Sequence, residues 1–333
     1  MIKIIKPGLL TTVQDLGRYG SQKYGVIVSG AMDQLSHRIA NLLVGNEENE
    51  PTLEITLIGP VIEFTETALI SLTGGNLSPK INGCSIDLWR PILVNKGSIL
   101  SFGPCKTGCR AYLAVAGGFQ VTTVMDSAST YLRAGIGGFF GRALKAGDVL
   151  SMERMSSNSK RIIQRLSTEL GERDYIEATW KIDPMISSCN MGKQPIRVIE
   201  GRQYHWFTEE SKQTFLQEEF MVTSQSDRMG YRLKGDPLTL ATEEEMVSEA
   251  VSNGSIQVPA EGNPIVLLAD RQTTGGYPKI AQIATVDLPI IAQAKPGDKL
   301  QFKLISLKDS QLIYLEREEQ IKQLKIGISL LHR

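Results

Sequence analysis

The densest run of chemically capable side chains is Pro264 to Ile280, P-I-V-L-L-A-D-R-Q-T-T-G-G-Y-P-K-I. Its apolar opening, Ile265 to Ala269, predicts a short strand buried on both faces. At the end of that strand come Asp270, Arg271, Gln272, Thr273 and Thr274, then Gly275, Gly276, Tyr277, Pro278 and Lys279. An acid, a fixed cation, an amide, two hydroxyls and a second cation suit the binding and orientation of a small polar or anionic substrate. Gly275 and Gly276 are expected to supply backbone angles closed to other residues and room for a ligand against the main chain. The competing reading is a loop whose polar side chains bond their own backbone. The residues alone leave both open.

Two further segments carry similar groups. Gln225 to Gly235 places Asp227, Arg228 and Arg232 at a loop-to-strand junction, and Thr11 to Gly20 holds Gln14, Asp15 and Arg18 among glycines. These side chains either meet a ligand or staple tight turns, and Asp270 with Arg271 or Arg228 can form a structural ion pair.

The elements that must position these groups are mostly strands. Ile2–Ile5, Leu53–Ile58, Val61–Phe64, Leu69–Leu72, Ile92–Val94, Ile99–Phe102, Ala111–Ala116 and Ile196–Ile199 read as strands punctuated by Gly, Pro or Asn. Leu35, Ile39, Leu42 and Leu43 recur at helical spacing, with Asp33 as N-cap and Gly45 as stop. A helix is expected over Arg161–Leu170, ended by Gly171 and followed by Asp183-Pro184 and Gly192. Another starts after the cap Thr208, and Leu315–Leu324 reads as a solvated surface helix. K-A-G-D-V-L (Lys145–Leu150) echoes K-P-G-D-K-L (Lys295–Leu300), and each follows a Gly-Gly-aromatic turn. The echo suggests two related β domains. The expected division is 1–155, a connector 156–191, a second domain 192–310 and a tail 311–333.

Lys+Arg and Asp+Glu stand at 36 each, so net charge is zero. Nucleic acid and anionic membrane both demand a basic excess and are not expected as main partners. No apolar stretch approaches the roughly 20 residues that span a bilayer, and the N-terminus lacks a signal-peptide core, so a cytoplasmic protein is expected. Four cysteines are too few for a disulfide framework in 333 residues. His37, His205 and His332 are scattered, and no metal is expected. Cys105 and Cys109, flanking Lys106-Thr107-Gly108, read as a reactive thiol site or as small buried cysteines.

T-V-Q-D-L-G-R-Y-G (Thr12–Gly20), S-G-A-M-D (Ser29–Asp33), A-N-L-L-V-G-N (Ala40–Asn46), S-D-R-M-G-Y-R-L (Ser226–Leu233), I-Q-V-P (Ile256–Pro259) and L-A-D-R-Q-T-T-G-G-Y-P closely resemble the KipA family, the C-type subunits of 5-oxoprolinase. That family is related to the carboxyltransferase region of urea carboxylase. The resemblance runs from near Ile4 to about Phe302. It implies a mainly β chain with a few helices, built as two cyclophilin-like β-barrel domains facing a central cleft. It also implies two partners, a KipI-type companion (the B-type subunit) and a lactam hydrolase (the A-type subunit). Together the three convert 5-oxoproline to glutamate at the expense of ATP. Under that resemblance Asp270, Arg271, Asp227 and Arg228 are the candidate catalytic residues. Gln14, Asp15, Arg18, Arg232, Gln272, Thr273, Thr274, Tyr277 and Lys279 are the candidate contacts to a small amide substrate. The chain has no G-x-x-x-x-G-K-[ST] loop, so ATP is expected at or near the companion interface. Two alternatives stand beside this reading: a carboxyltransferase subunit of a biotin-dependent urea or amide carboxylase, and a non-catalytic regulator that binds a KipI-type kinase inhibitor.

Overall fold

Ile2 and Ile4 are fully buried while Lys3, Ile5 and Lys6 face outward, the period-two pattern of a strand with one face on a core. That pattern recurs through a computed structural model describing residues 1–183, 194–241 and 246–331. Pro184, Cys189, Gly192 and His332 lie outside the described residues. Contacts divide the chain into two units. Unit 1 is Met1–Arg18, Asp33–Cys189 and Gln320–Arg333, and unit 2 is Tyr19–Met32 and Asn190–Glu319.

Unit 1 holds β1 (Ile2–Lys6), β2 (Leu10–Gln14), β3 (Thr52–Thr56), β4 (Val61–Phe64), β5 (Ala68–Asn76), β6 (Lys80–Ile81), β7 (Cys84–Ser85), β8 (Pro91–Val94), β9 (Ile99–Ser101), β10 (Thr107–Val115), β11 (Val149–Leu150) and β12 (Tyr175–Glu177). They form two antiparallel six-stranded sheets, ordered β11-β1-β4-β9-β6-β7 and β12-β8-β5-β10-β3-β2. Ile2, Ile4, Leu53, Phe64, Leu72 and Leu113 fill the core that both sheets share. Helix α1 (Gln34–Leu43) starts at the expected cap, where Asp33 Oδ1 accepts the Ser36 N–H at 2.9 Å. It stops before Gly45, whose φ of 77° is the left-handed turn glycine favours.

The segment read as a connector is part of unit 1. Helix α2 (Ser157–Leu170) begins at a Ser156 cap, and β12 pairs with β8 through Tyr175↔Val94 and Glu177↔Ile92. The tail is also more than a solvated helix. In α5 (Leu307–Leu331), Ile321 and Ile328 are buried against Leu35, Ile39 and Leu42 of α1.

Unit 2 contains β13 (Ile196–Glu200), β14 (Phe220–Val222), β15 (Gly230–Lys234), β16 (Glu249–Ala250), β17 (Ser255–Gln257), β18 (Ile265–Leu267), β19 (Thr274–Gly275), β20 (Lys279–Ile283), β21 (Lys299–Leu300) and β22 (Phe302–Leu304). Helices α3 (Glu209–Gln217), capped by Thr208 as expected, and α4 (Leu288–Gln293) complete it. Eight strands run β21-β14-β15-β18-β17-β20-β13-β22, and β16 pairs with β19. The two end strands are consecutive in the chain, with Leu300 paired to Phe220 and Phe302 paired to Ile196. The sheet is therefore a nearly closed barrel, which leaves few open edges. Phe215 stacks on Phe302 at a 4.7 Å centroid separation inside it. A mainly β chain built as two β domains is what the structure shows.

The K-x-G-D echo is structural. Asp148 Oδ2 accepts the Lys145 N–H at 2.7 Å, and Asp298 Oδ2 accepts the Lys295 N–H at 2.9 Å. Gly147 and Gly297 share left-handed φ values of 90° and 94°. The Gly-Gly half of the echo fails. Gly117 and Gly118 have positive φ, whereas Gly275 and Gly276 do not. A Cβ at Gly275 would lie 2.5 Å from the end of the Gln257 side chain, which would have to shift to admit it. That room is filled by protein.

Candidate functional site

Strands β15 and β18 pair antiparallel through Gly230↔Leu267, Tyr231↔Val266 and Arg232↔Ile265. Their register brings Arg228, just before β15, opposite Asp270, just after β18, and the Asp270 N–H donates to the Arg228 carbonyl at 2.8 Å. Both side chains are buried. Arg228 Nε donates to Asp270 Oδ2 at 2.9 Å and its Nη2 to Oδ1 at 3.1 Å, the two-point geometry that makes Arg–carboxylate pairs strong. Ser29 Oγ donates to Oδ1 at 2.7 Å, and Arg228 Nη2 also donates to the Gly30 carbonyl at 2.6 Å. Ser29 and Gly30 both adopt left-handed φ, 58° and 92°, which turns the Ser29 hydroxyl and the Gly30 carbonyl towards one pair. Nearby, Met32 packs into the barrel core with Val266 and Leu268. The Tyr19–Met32 segment is thus fastened to the rest of unit 2 by an ion pair and an apolar anchor. Sequence reasoning missed Ser29 and Gly30. Their one local signal is a Ser-Gly pair four residues ahead of a helix cap.

Arg271 differs from its neighbour. Its Nε and Nη1 reach only the carbonyls of Val251, at 3.3 Å, and Leu268, at 3.2 Å. Among the described residues no carboxylate pairs with it. Burial holds its pKa below the usual arginine value, a trend that Tyr19 opposes. A half-buried guanidinium without a carboxylate is a ready anion contact.

The remaining predicted residues are scattered around unit 2. The Asp227 carboxylate accepts the Met229 N–H at 2.8 Å and so caps its own turn. Lys279 is committed to Glu249 at 2.6 Å, and that bond holds the Glu249 carboxyl below its usual range. Thr274 pairs with Ala250, the Thr273 carbonyl accepts the Val251 N–H, and Gln272 is exposed. Arg232 and Tyr277 line a hollow of about 380 Å³, together with Thr223, Lys234 and Asn263. A smaller hollow of about 250 Å³ is lined by Arg202, His205, Trp206 and Glu249.

Gln14, Asp15 and Arg18 form their own centre in unit 1, where each is buried. Asp15 accepts from the N–H groups of Gly17 at 2.8 Å and Ala128 at 2.6 Å, and from the hydroxyls of Ser127 and Ser129. Arg18 donates to the carbonyls of Val124 and Ser129, and Gln14 to that of Thr130. These bonds hold the Val124–Thr130 loop, far along the chain, as well as the local turn at Gly17. Cys84, Cys105 and Cys109 are free thiols, and Cys109 is buried. No helix among the described residues is long and apolar enough to cross a membrane, and no group of three or more His, Cys, Asp or Glu among them is placed to hold a metal.

Comparison with known proteins places these features in a family. Residues 24–304 match the carboxyltransferase domain family, subdomain A and B. The chain is 38% identical to the C subunit of 5-oxoprolinase from Escherichia coli over 97% of both chains. It is 32% identical to urea amidolyase of Saccharomyces cerevisiae, covering 97% of this chain but 18% of that protein. The crystal structure of Kluyveromyces lactis urea carboxylase superposes with a TM-score of 0.84 at 30% identity, over 98% of this chain and 29% of that one. This chain belongs to the carboxyltransferase domain family, subdomain A and B, and the C subunit of 5-oxoprolinase is its relative along nearly the full length.

Proposed function

We propose that the chain is the C-type subunit of an ATP-dependent 5-oxoprolinase, active together with a KipI-type companion and a lactam hydrolase. The observation that carries this reading is the 38% identity to the C subunit of the Escherichia coli 5-oxoprolinase along 97% of both chains. A lactam resists water because its nitrogen donates into the carbonyl. Transfer of the ATP γ-phosphoryl group to the carbonyl oxygen ends that donation and makes the oxygen a leaving group. Water can then add at that carbon, and the ring C–N bond breaks with the nitrogen taking up a proton, which leaves a γ-glutamyl phosphate. A second water releases inorganic phosphate to give glutamate beside ADP. Such a transfer depends on positioning and on cations that meet phosphoryl charge. Arg271 suits that task because no acid among the described residues neutralises it. Both Asp270 oxygens already accept hydrogen bonds, which favours a positioning role for Asp270 over that of a base.

The test is reconstitution of this chain with its two companions, followed by 5-oxoproline-dependent ATP hydrolysis. Arg271→Ala is expected to lower the rate at least tenfold while the complex still assembles. Full activity in that variant removes Arg271 from the site. A second reading, carboxyl transfer to urea or another amide from carboxybiotin, is favoured by the 0.84 TM-score to urea carboxylase. It predicts urea-dependent consumption of carboxybiotin and no response to 5-oxoproline. A complex that assembles and turns over neither substrate would support the regulator.

A further inference from the structure

We infer that the exposed face of α5 is a self-association surface, on which a second copy of this chain lies antiparallel through Leu312, Leu315, Ile326 and Leu330. Helix α5 carries apolar residues on two sides. One side is occupied. Ile321 and Ile328 are buried among Leu35, Ile39, Leu42 and Leu43 of α1, Lys325 pairs with Glu47, and Arg165 donates to the Leu331 carbonyl. Leu312, Leu315, Ile326 and Leu330 stand outside that packing and are 48%, 61%, 50% and 54% exposed. At about 100° per residue these four fall within one stripe roughly 80° wide, nearly opposite Ile321 and Ile328. An aligned row of large aliphatic side chains in water, unlike single scattered ones, marks a contact with another surface.

The order of residues along the stripe identifies the occupant. From its N-terminal end the stripe runs Leu312, Leu315, Glu319, and from its C-terminal end Leu330, Ile326, Lys322. The two halves match in spacing to within a residue. Two copies crossing antiparallel about a two-fold axis near the middle bring Leu312 of each to Leu330 of the other, and Leu315 of each to Ile326 of the other. The same axis brings Glu319 of each copy to Lys322 of the other. Every contact then occurs twice, as an isologous interface requires. Apolar pairs sit at the ends and opposite charges at the centre, where a polar layer fixes register and orientation. Parallel pairing would instead set Glu319 against Glu319 and Lys322 against Lys322, which like-charge repulsion disfavours. A partner of another kind would need no such symmetry. The stripe covers about 27 Å of helix. A seam that short sits at the small end of specific interfaces, so a reversible dimer with a dissociation constant on the order of micromolar is expected.

Sedimentation equilibrium of the full chain, from micromolar to near-millimolar concentration, tests this, and a monomer–dimer equilibrium is expected. Leu315→Lys, at a position exposed enough to leave the fold intact, should weaken dimerisation about tenfold or more. Glu319→Lys and Lys322→Glu should each weaken it, because each sets like charges across the seam twice. Combining the two changes should restore it. An unchanged far-ultraviolet circular dichroism spectrum in each variant separates a lost contact from a lost helix. A chain that stays monomeric throughout overturns the inference and leaves the face to a partner of another kind. A dimer that Leu315→Lys leaves intact overturns it as well. So does a dimer that Leu315→Lys weakens but that ignores both single charge changes, since its copies would then lie parallel. None of these results bears on 5-oxoproline-dependent ATP hydrolysis, which tests the functional reading separately.

Discussion

Two buried aspartates, one in each unit, do the same mechanical work with different chemistry. Asp15 fastens the Val124–Thr130 loop by accepting from two of its hydroxyls and the Ala128 N–H, with the Gly17 N–H of its own turn as a fourth donor, while Arg18 bonds carbonyls of the same loop. Asp270 fastens the Tyr19–Met32 segment through a direct ion pair with Arg228 and one hydroxyl. In sequence both centres look alike, an acid and an arginine near glycines. The difference is what remains if one partner is lost. Asp15 has several neutral donors, so no single loss strands it. Asp270 depends on one cation, and removing it leaves a buried charge uncompensated.

That contrast predicts its own largest effect. Arg228→Ala should destabilise unit 2 by about 3–5 kcal/mol, the usual outcome of breaking a buried pair from one side. Replacing both partners, as in Arg228→Met with Asp270→Leu, should cost less than the single change. Urea denaturation of the two variants checks the order, and a double variant as unstable as Arg228→Ala would end the ion-pair account.

Unit 1 offers the next effect, in pH. His37 is fully buried with Nδ1 2.9 Å from Thr52 Oγ1. Burial lowers its pKa from 6.5 to about 4, against the opposing pull of Asp15 and Glu54. Its folded value lies below the unfolded one, so the native state excludes a proton that the unfolded chain binds. The stabilisation is whole above pH 6.5 and is lost as pH falls towards 4, amounting to about 3 kcal/mol across that window. In His37→Gln the difference in stability between pH 7 and pH 4.5 should shrink correspondingly. Asp15→Asn should cost less, about 2 kcal/mol, because one oxygen still accepts. Denaturation at pH 7 measures it, and a loss as large as that of Arg228→Ala would erase the distinction between the two centres.

What the sequence disclosed follows from range. The α1 helix, its Asp33 cap and its Gly45 stop were legible because four apolar residues, a carboxylate and a glycine lie within one short window. The K-x-G-D turns were legible for the same reason. Ser29 and Asp270 are 241 residues apart, and no local pattern predicts such a contact. Strand β2 is absent from the strands legible in the sequence because Thr11, Thr12 and Gln14 are buried despite their polarity. Burial there is secured by partners far along the chain, such as the Thr130 carbonyl for Gln14. The tail helix misled differently. Ile321 sits in Leu315–Leu324, where five of the ten residues are charged, and Ile328 lies beyond the segment read as a helix. Within the Pro264–Ile280 stretch the residue types make Arg271 and Lys279 equal candidates, and only geometry separates Arg271, which has no acid partner among the described residues, from Lys279, which has Glu249.

The smallest effect probes the fastening from its other side. Ser29 contributes one hydroxyl hydrogen bond to Asp270 and holds a φ of 58° to do so. Ser29→Ala keeps the left-handed backbone, which disfavours any residue with a Cβ, and deletes the bond, so it should cost about 1 kcal/mol or slightly more. Ser29→Gly deletes the same bond but relieves the backbone, and the two terms are of similar size. The glycine variant should therefore lie closer to the native chain than the alanine variant does. If alanine proves the milder substitution, the strained turn is not what presents Ser29 to Asp270.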